Sequence, residues 1–165
     1  MFRAMSDFCK AWEYESEATL MVLRALTEPA LAQAVLPGGR TLGRLAWHVV
    51  GTLGEMMGHA GIADVGPTDD APQPTLAEMI RQYEVSSRHL IEAVSQKWTD
   101  AMLLESVPMY GEQWPRGQVL ASLVFHQIHH RAQMTVLMRQ AGLRVPGVYG
   151  PAAEEWAGMG LPAQA

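Results

Sequence analysis

The sequence predicts an all-α fold: a four-helix bundle with one long crossover loop, filling residues 1–165 as a single domain. Three observations carry this. Four long segments repeat apolar residues at the helical period. The spaces between them lack the alternating β-branched pattern of a sheet. The stretch from Gly61 to Pro74, rich in Pro, Gly and Asp, is long enough to change how the helices connect.

The first helix is expected to begin after Ser6, a good N-cap, and to run to about Thr27, with Phe8, Trp12, Thr19, Leu23 and Leu26 on one face. Pro29 marks its end. After Pro37-Gly38-Gly39, Thr41 can cap a second helix reaching about Gly58. Thr75-Leu76-Ala77-Glu78 has capping-box spacing and opens a third helix through Met79, Tyr83, Leu90, Ile91 and Val94 to about Gln96.

From Trp98 to Gly117, prolines and glycines among aromatics indicate a structured loop over one end of the bundle, with Tyr110 and Trp114 as pocket-mouth or anchoring side chains. The fourth helix runs from about Arg116 to Ala141 and stops at Gly142. Residues 152–165 read as a short helix followed by a frayed terminus.

Composition narrows the function. A chain of 165 residues can bury a core without disulfides or a structural metal, so any metal is expected to be functional. A formal net charge of -5, with twelve Lys and Arg residues in no basic run, argues against nucleic acid as a partner. The lone Cys9 cannot form an internal disulfide, and the first residues lack the pattern of a secretory signal, so a cytoplasmic setting is expected. No stretch approaches the ~20 apolar residues of a membrane span. The eleven methionines fall mostly at helical spacing and read as core filling.

The chemistry concentrates on histidine. His126 and His130 are one helical turn apart, so both point to the same face, on the stripe of Val119, Leu123, Met134 and Leu137. Two imidazoles on an apolar stripe need polar partners, and a shared metal ion satisfies one nitrogen of each. His48 is the best third ligand: it edges the apolar stripe of the second helix, beside Thr52, Glu55 and His59.

Glu55 reads as a general base, an acceptor for an imidazole N–H, or a solvated carboxylate. His129 falls on the flank with Ser122 and Gln133, facing solvent or the ligands' outer surroundings. His59 and His89 read as surface residues. Nothing places a histidine or acid beside Cys9, which argues against a cysteine nucleophile.

The run Phe125-His126-Gln127-Ile128-His129-His130-Arg131-Ala132-Gln133 resembles the His-x3-His-Arg-Gly-Gln pattern of the DinB/YfiT-like four-helix metalloproteins, with Ala132 in place of the usual glycine. Thr41-Leu42-Gly43 leading to Leu45 and His48, and the exit through Gly142 to Pro146 and Tyr149-Gly150-Pro151, are similar to further parts of that family. The resemblance implies an up-down-down-up bundle and frequent homodimers. It also implies one divalent ion, nickel or zinc, or else manganese or iron, on His48, His126 and His130, with water completing the shell.

Relatives of this kind include transferases that use a low-molecular-weight thiol. The leading expectation is therefore a metal-dependent thiol transferase acting on a small molecule, with Glu55 as a supporting group. A metal-dependent hydrolase on the same three histidines, and a non-enzymatic ligand- or metal-sensing module, are the alternatives.

Overall fold

The computed structural model describes residues 2–162. Its four long helices are α1 (Met5–Arg24), α2 (Leu42–His59), α3 (Leu76–Lys97) and α4 (Arg116–Gln140). Residues 163–165 of the expected frayed terminus lie outside the described residues, and Trp156–Met159 before them form a single 3₁₀ turn.

α1 starts earlier than the Ser6 cap predicts. Ala4 is the N-cap, and the carboxylate of Asp7 accepts the amides of Arg3 and Ala4 at 3.2 Å each. Asp100, from the far side of the chain, accepts the Met5 amide at 2.7 Å. Two acids thus satisfy donors that a serine cap would have taken. The helix also ends before Thr27, giving way to a 3₁₀ turn at Glu28–Ala32 that starts with Pro29 in its first positions.

Thr41 caps α2, its hydroxyl accepting the Arg44 amide at 3.1 Å. Thr75 caps α3 through the Glu78 amide at 3.3 Å. Only half of the expected capping box forms there, because the Glu78 carboxylate turns to Arg81 and Gln82 instead. Gly142, at φ +74°, ends α4 in the left-handed conformation that suits glycine.

The helices run up-down-down-up. α1 and α3 are antiparallel: the indole of Trp12 donates to Ser87 Oγ at 2.9 Å, and Arg24 at the end of α1 pairs with Glu84 of α3 at 2.7 Å. The segment before α3 lies against the start of α2, with Gln73 beside Gly43, so α2 and α3 are parallel. α2 packs on α3 and α4, and α1 packs on the same two helices. Phe8, Trp12, Leu53, Met57, Tyr83 and Leu120 fill the centre, and Met79, Met134 and Met138 are buried among them.

Two segments decide what surrounds the site. Residues 61–74 run back along α2 as a strap pressed against two of its glycines. A Cβ on Gly51 would lie 2.6 Å from the amide nitrogen of Asp69, and one on Gly54 would lie 2.3 Å from the carbonyl oxygen of Pro67. The strap is locked by Trp47, whose indole donates to Ala71 O at 2.7 Å.

The loop after α3 holds more regular structure than expected. It contains a 3₁₀ turn at Asp100–Leu104 and an antiparallel hairpin of β1 (Ser106–Met109) and β2 (Glu112–Pro115). Tyr110 and Gly111 turn it with φ of +50° and +85°, the sign that tight hairpin turns require. Four-residue strands containing Pro108 and Pro115 are too short for alternation to register in sequence.

Candidate metal centre

His48 from α2 meets His126 and His130 from α4. One ring nitrogen of each lies within 4.8 Å of the others. His48 Nε2 and His126 Nε2 are 3.0 Å apart, and the ring centroids are separated by 4.7 Å (His48 to His126), 4.6 Å (His48 to His130) and 4.3 Å (His126 to His130). The sequence spacing thus led to three residues that the fold does bring together.

Buried polar side chains next to His126 and His130 fix this register. Gln127 is fully buried, donates from Nε2 to Val49 O at 3.0 Å, and accepts the Tyr83 hydroxyl on Oε1 at 3.0 Å. Because Gln127 follows His126 and Val49 follows His48, this bond sets the two imidazoles opposite each other. Burial without water also drives the Tyr83 hydroxyl well above its ordinary pKa, so it stays a donor.

Arg131 follows His130 and anchors α4 to α1. Its guanidinium donates to Glu15 Oε2 at 2.6 Å, and to Glu15 O and Thr19 Oγ1 at 3.0 Å each. The hydroxyl of Tyr149 closes the network, donating to Glu15 at 2.7 Å and accepting from Arg131 at 2.6 Å. Burial, then the bond to Glu15, pushes that hydroxyl up to about 12.

The outer nitrogens of two of the histidines face polar side chains. His130 Nδ1 lies 2.7 Å from Gln133 Oε1, and the amide nitrogen of the same Gln133 donates to His129 Nε2 at 3.0 Å. An oxygen at Nδ1 holds the proton there and leaves Nε2 with its lone pair free. His48 Nδ1 lies 3.0 Å from Asp69 Oδ2, close to the carboxylate but off the line of a straight N–H···O bond. Asp69 in turn accepts both arms of the Arg44 guanidinium at 2.5 and 2.6 Å. That fork is the chief reason its carboxyl is held down to about 2, so it faces His48 as an anion.

The acceptor beside His48 is therefore Asp69, carried by the strap, rather than Glu55. Glu55 lies two turns further along α2, roughly 10 Å by helical rise, and its carboxylate accepts the Tyr110 hydroxyl at 3.3 Å. His59 packs at a tilt against Tyr110, with 5.1 Å between ring centroids, and belongs to that hairpin patch. Among the described residues, the polar contact of Cys9 Sγ is with Ser95 Oγ, at 3.8 Å. Asp69 gives no sequence signal, since it sits in an irregular loop 21 residues after His48.

Three observations test the fit to a metal ion. First, all three donors are imidazole, which suits zinc, nickel and iron alike. Second, the 3.0 Å between the two Nε2 atoms approaches the separation of about 3.3 Å that tetrahedral ligands at the usual Zn–N length require. Third, burial is the main cause that lowers the His126 pKa to about 3, and it lowers that of His130 as well, so both rings offer lone pairs rather than protons. Three imidazole rings facing one point cannot all satisfy each other's nitrogens, and a shared cation can. His126 Nδ1 is a further buried nitrogen without a partner among the described residues.

The sequence model of the DinB family matches residues 1–164. The chain belongs to the DinB family. It is 45% identical over 164 residues to an uncharacterized protein, YrdA, of Bacillus subtilis strain 168, covering 99% of this chain and 98% of that protein. The crystal structure of a DinB-like protein from Bacillus cereus ATCC 10987 superposes with a TM-score of 0.86 at 40% identity, covering 90% of this chain and all of the other. DinB-family membership and the three-histidine cluster together fit metal binding, and among the described residues no helix is long and apolar enough to cross a membrane.

Proposed function

We propose that His48, His126 and His130 hold one divalent transition-metal ion, nickel or zinc first, and that the chain is a metal-dependent transferase using a low-molecular-weight thiol. The observation that carries this is the convergence of three imidazole nitrogens, from two helices, beside an open cavity that His130 lines. That cavity, of about 580 Å³, is lined by His130, His129 and Gln133 beside Leu45 and Leu137. Its size is that of a small-molecule site.

When bound, the ion would lower the pKa of a thiol and so raise its thiolate fraction at neutral pH. The protein's residues supply the rest. Gln133 holds the His130 proton on Nδ1, Asp69 confronts the outer nitrogen of His48, and the Gln127 and Arg131 anchors keep the three rings from separating. In the transfer, a carbon–sulfur bond forms to an electrophilic carbon, and the leaving group departs with its electron pair. The thiol proton goes to water or to that leaving group, so R–SH and R′–X give R–S–R′ and HX.

The same reading includes a cytoplasmic homodimer, for which sedimentation at twice the 18.1 kDa chain mass is the check. The transferase is tested with protein loaded with cobalt or nickel and titrated with a small thiol. A new thiolate-to-metal absorption band that disappears in His126→Ala supports it. An unchanged spectrum, with turnover that needs no thiol, contradicts it.

A further inference from the structure

The cavity beside the three histidines has a roof of unusual character. The loop before α2 is closed at its base by an Ala34–Thr41 bridge and by the Leu42 amide donating to Gln33 O at 2.7 Å. A tighter turn inside it, Gly39 N–H to Leu36 O at 3.0 Å, sets the tip. The loop is thus pinned, yet it leaves Val35 62% and Leu36 59% exposed at the cavity, facing Val136 of α4, which is 56% exposed. Three aliphatic side chains held at one opening leave a large apolar area in contact with water.

Four residues after Leu36, the same loop supplies a charge. Arg40 lines the same cavity, is exposed, and has no ion-pair or hydrogen-bond partner among the described residues. The other arginine beside the centre, Arg44, is taken up by Asp69. An unpaired guanidinium at the edge of an apolar groove is suited to a planar carboxylate, which it can grip with two parallel hydrogen bonds.

We propose that this groove binds an amphipathic carboxylate, its apolar body between Val35, Leu36 and Val136 and its carboxylate on Arg40. Resting on the thiol-transferase reading, this molecule is the electrophilic acceptor rather than the thiol. The walls make the choice: small thiols carrying several polar groups would leave those aliphatic side chains wet, whereas an acid with a hydrocarbon body covers them.

The test is calorimetric titration of the full chain with octanoate, octanol and mercaptosuccinate, in both metal-free and zinc-loaded protein. Octanoate is expected to bind metal-free protein, and Arg40→Gln to weaken it about tenfold or more. Leu36→Asp, which sets a carboxylate against the ligand's body, is expected to do the same. Octanol binding as tightly as octanoate, octanoate binding unchanged in Arg40→Gln, or mercaptosuccinate displacing octanoate as the tighter ligand would each overturn the assignment. Because metal-free protein is titrated, a failed zinc uptake bears on the metal centre alone and leaves the groove's result readable.

Discussion

At the residue scale, each histidine of the centre has a distinct neighbour, and the neighbours divide into those that hold geometry and those that tune it. Removing a ligand should remove the ion without unfolding the chain, because the core is hydrophobic and independent of it. His126→Ala and His130→Ala are expected to lose stoichiometric metal on elemental analysis while their circular dichroism stays helical. Asp69→Asn removes the charge facing His48 and Gln133→Ala removes the acceptor at His130, while all three histidines stay, so metal affinity should fall about 10–100-fold in a chelator competition. An unchanged affinity in both would show that these contacts carry no weight. Arg131 differs in kind: Arg131→Met strands the buried Glu15 carboxylate and should cost about 3–5 kcal/mol in denaturant unfolding. Here sequence and structure part company. Helical spacing pointed to the ligands, and the motif run contained Arg131 and Gln133, but Asp69 was invisible because a strap residue has no period to betray it.

At the element scale, the strap of residues 61–74 matters most, since it delivers Asp69 and lies on Gly51 and Gly54 of α2. Gly54→Ala puts a methyl group into the Pro67 carbonyl, so the strap must lift. The expected cost is about 1–3 kcal/mol, together with weaker metal retention, and a loss of stability with retention unchanged would separate the strap from the site. The strap also gives the fold an acid-sensitive point. Asp69 is held down to about 2 chiefly by Arg44, below the roughly 3.9 of an unfolded aspartate. The folded state therefore binds this proton less readily than the unfolded one. Its contribution is complete above about pH 4 and is lost as the pH falls toward 2. The melting-temperature gap between the wild-type chain and Asp69→Asn should be level above pH 4 and close below it; a gap that ignores pH would deny the ion pair any role. Helix identities and three of the four stops were legible from periodicity and glycine, but the start of α1 was not, because Asp100 lies 95 residues away from the amide it caps.

At the scale of the whole molecule, the up-down-down-up order puts α2 beside α4, and only that adjacency turns two distant sequence segments into one cluster. Periodicity alone cannot supply this order, since any antiparallel bundle has the same apolar stripes. It follows from the length of the 61–74 crossover and from the buried Gln127 and Arg131, polar residues that stitch α4 to α2, α3 and α1 and so exclude a shifted register. The hairpin at 106–115 sits on this frame without altering it. Its short, proline-bearing strands became readable only once Tyr110 and Gly111 were seen to turn with positive φ. The most direct measurement is X-ray absorption at the metal edge, on protein purified without an affinity tag. A single ion bound by three imidazole nitrogens, at about 2.0–2.1 Å if it is zinc, with one nitrogen lost in His48→Ala, is the expected result. A chain without stoichiometric metal, or an ion whose nitrogen shell is the same in wild type and His48→Ala, would contradict it.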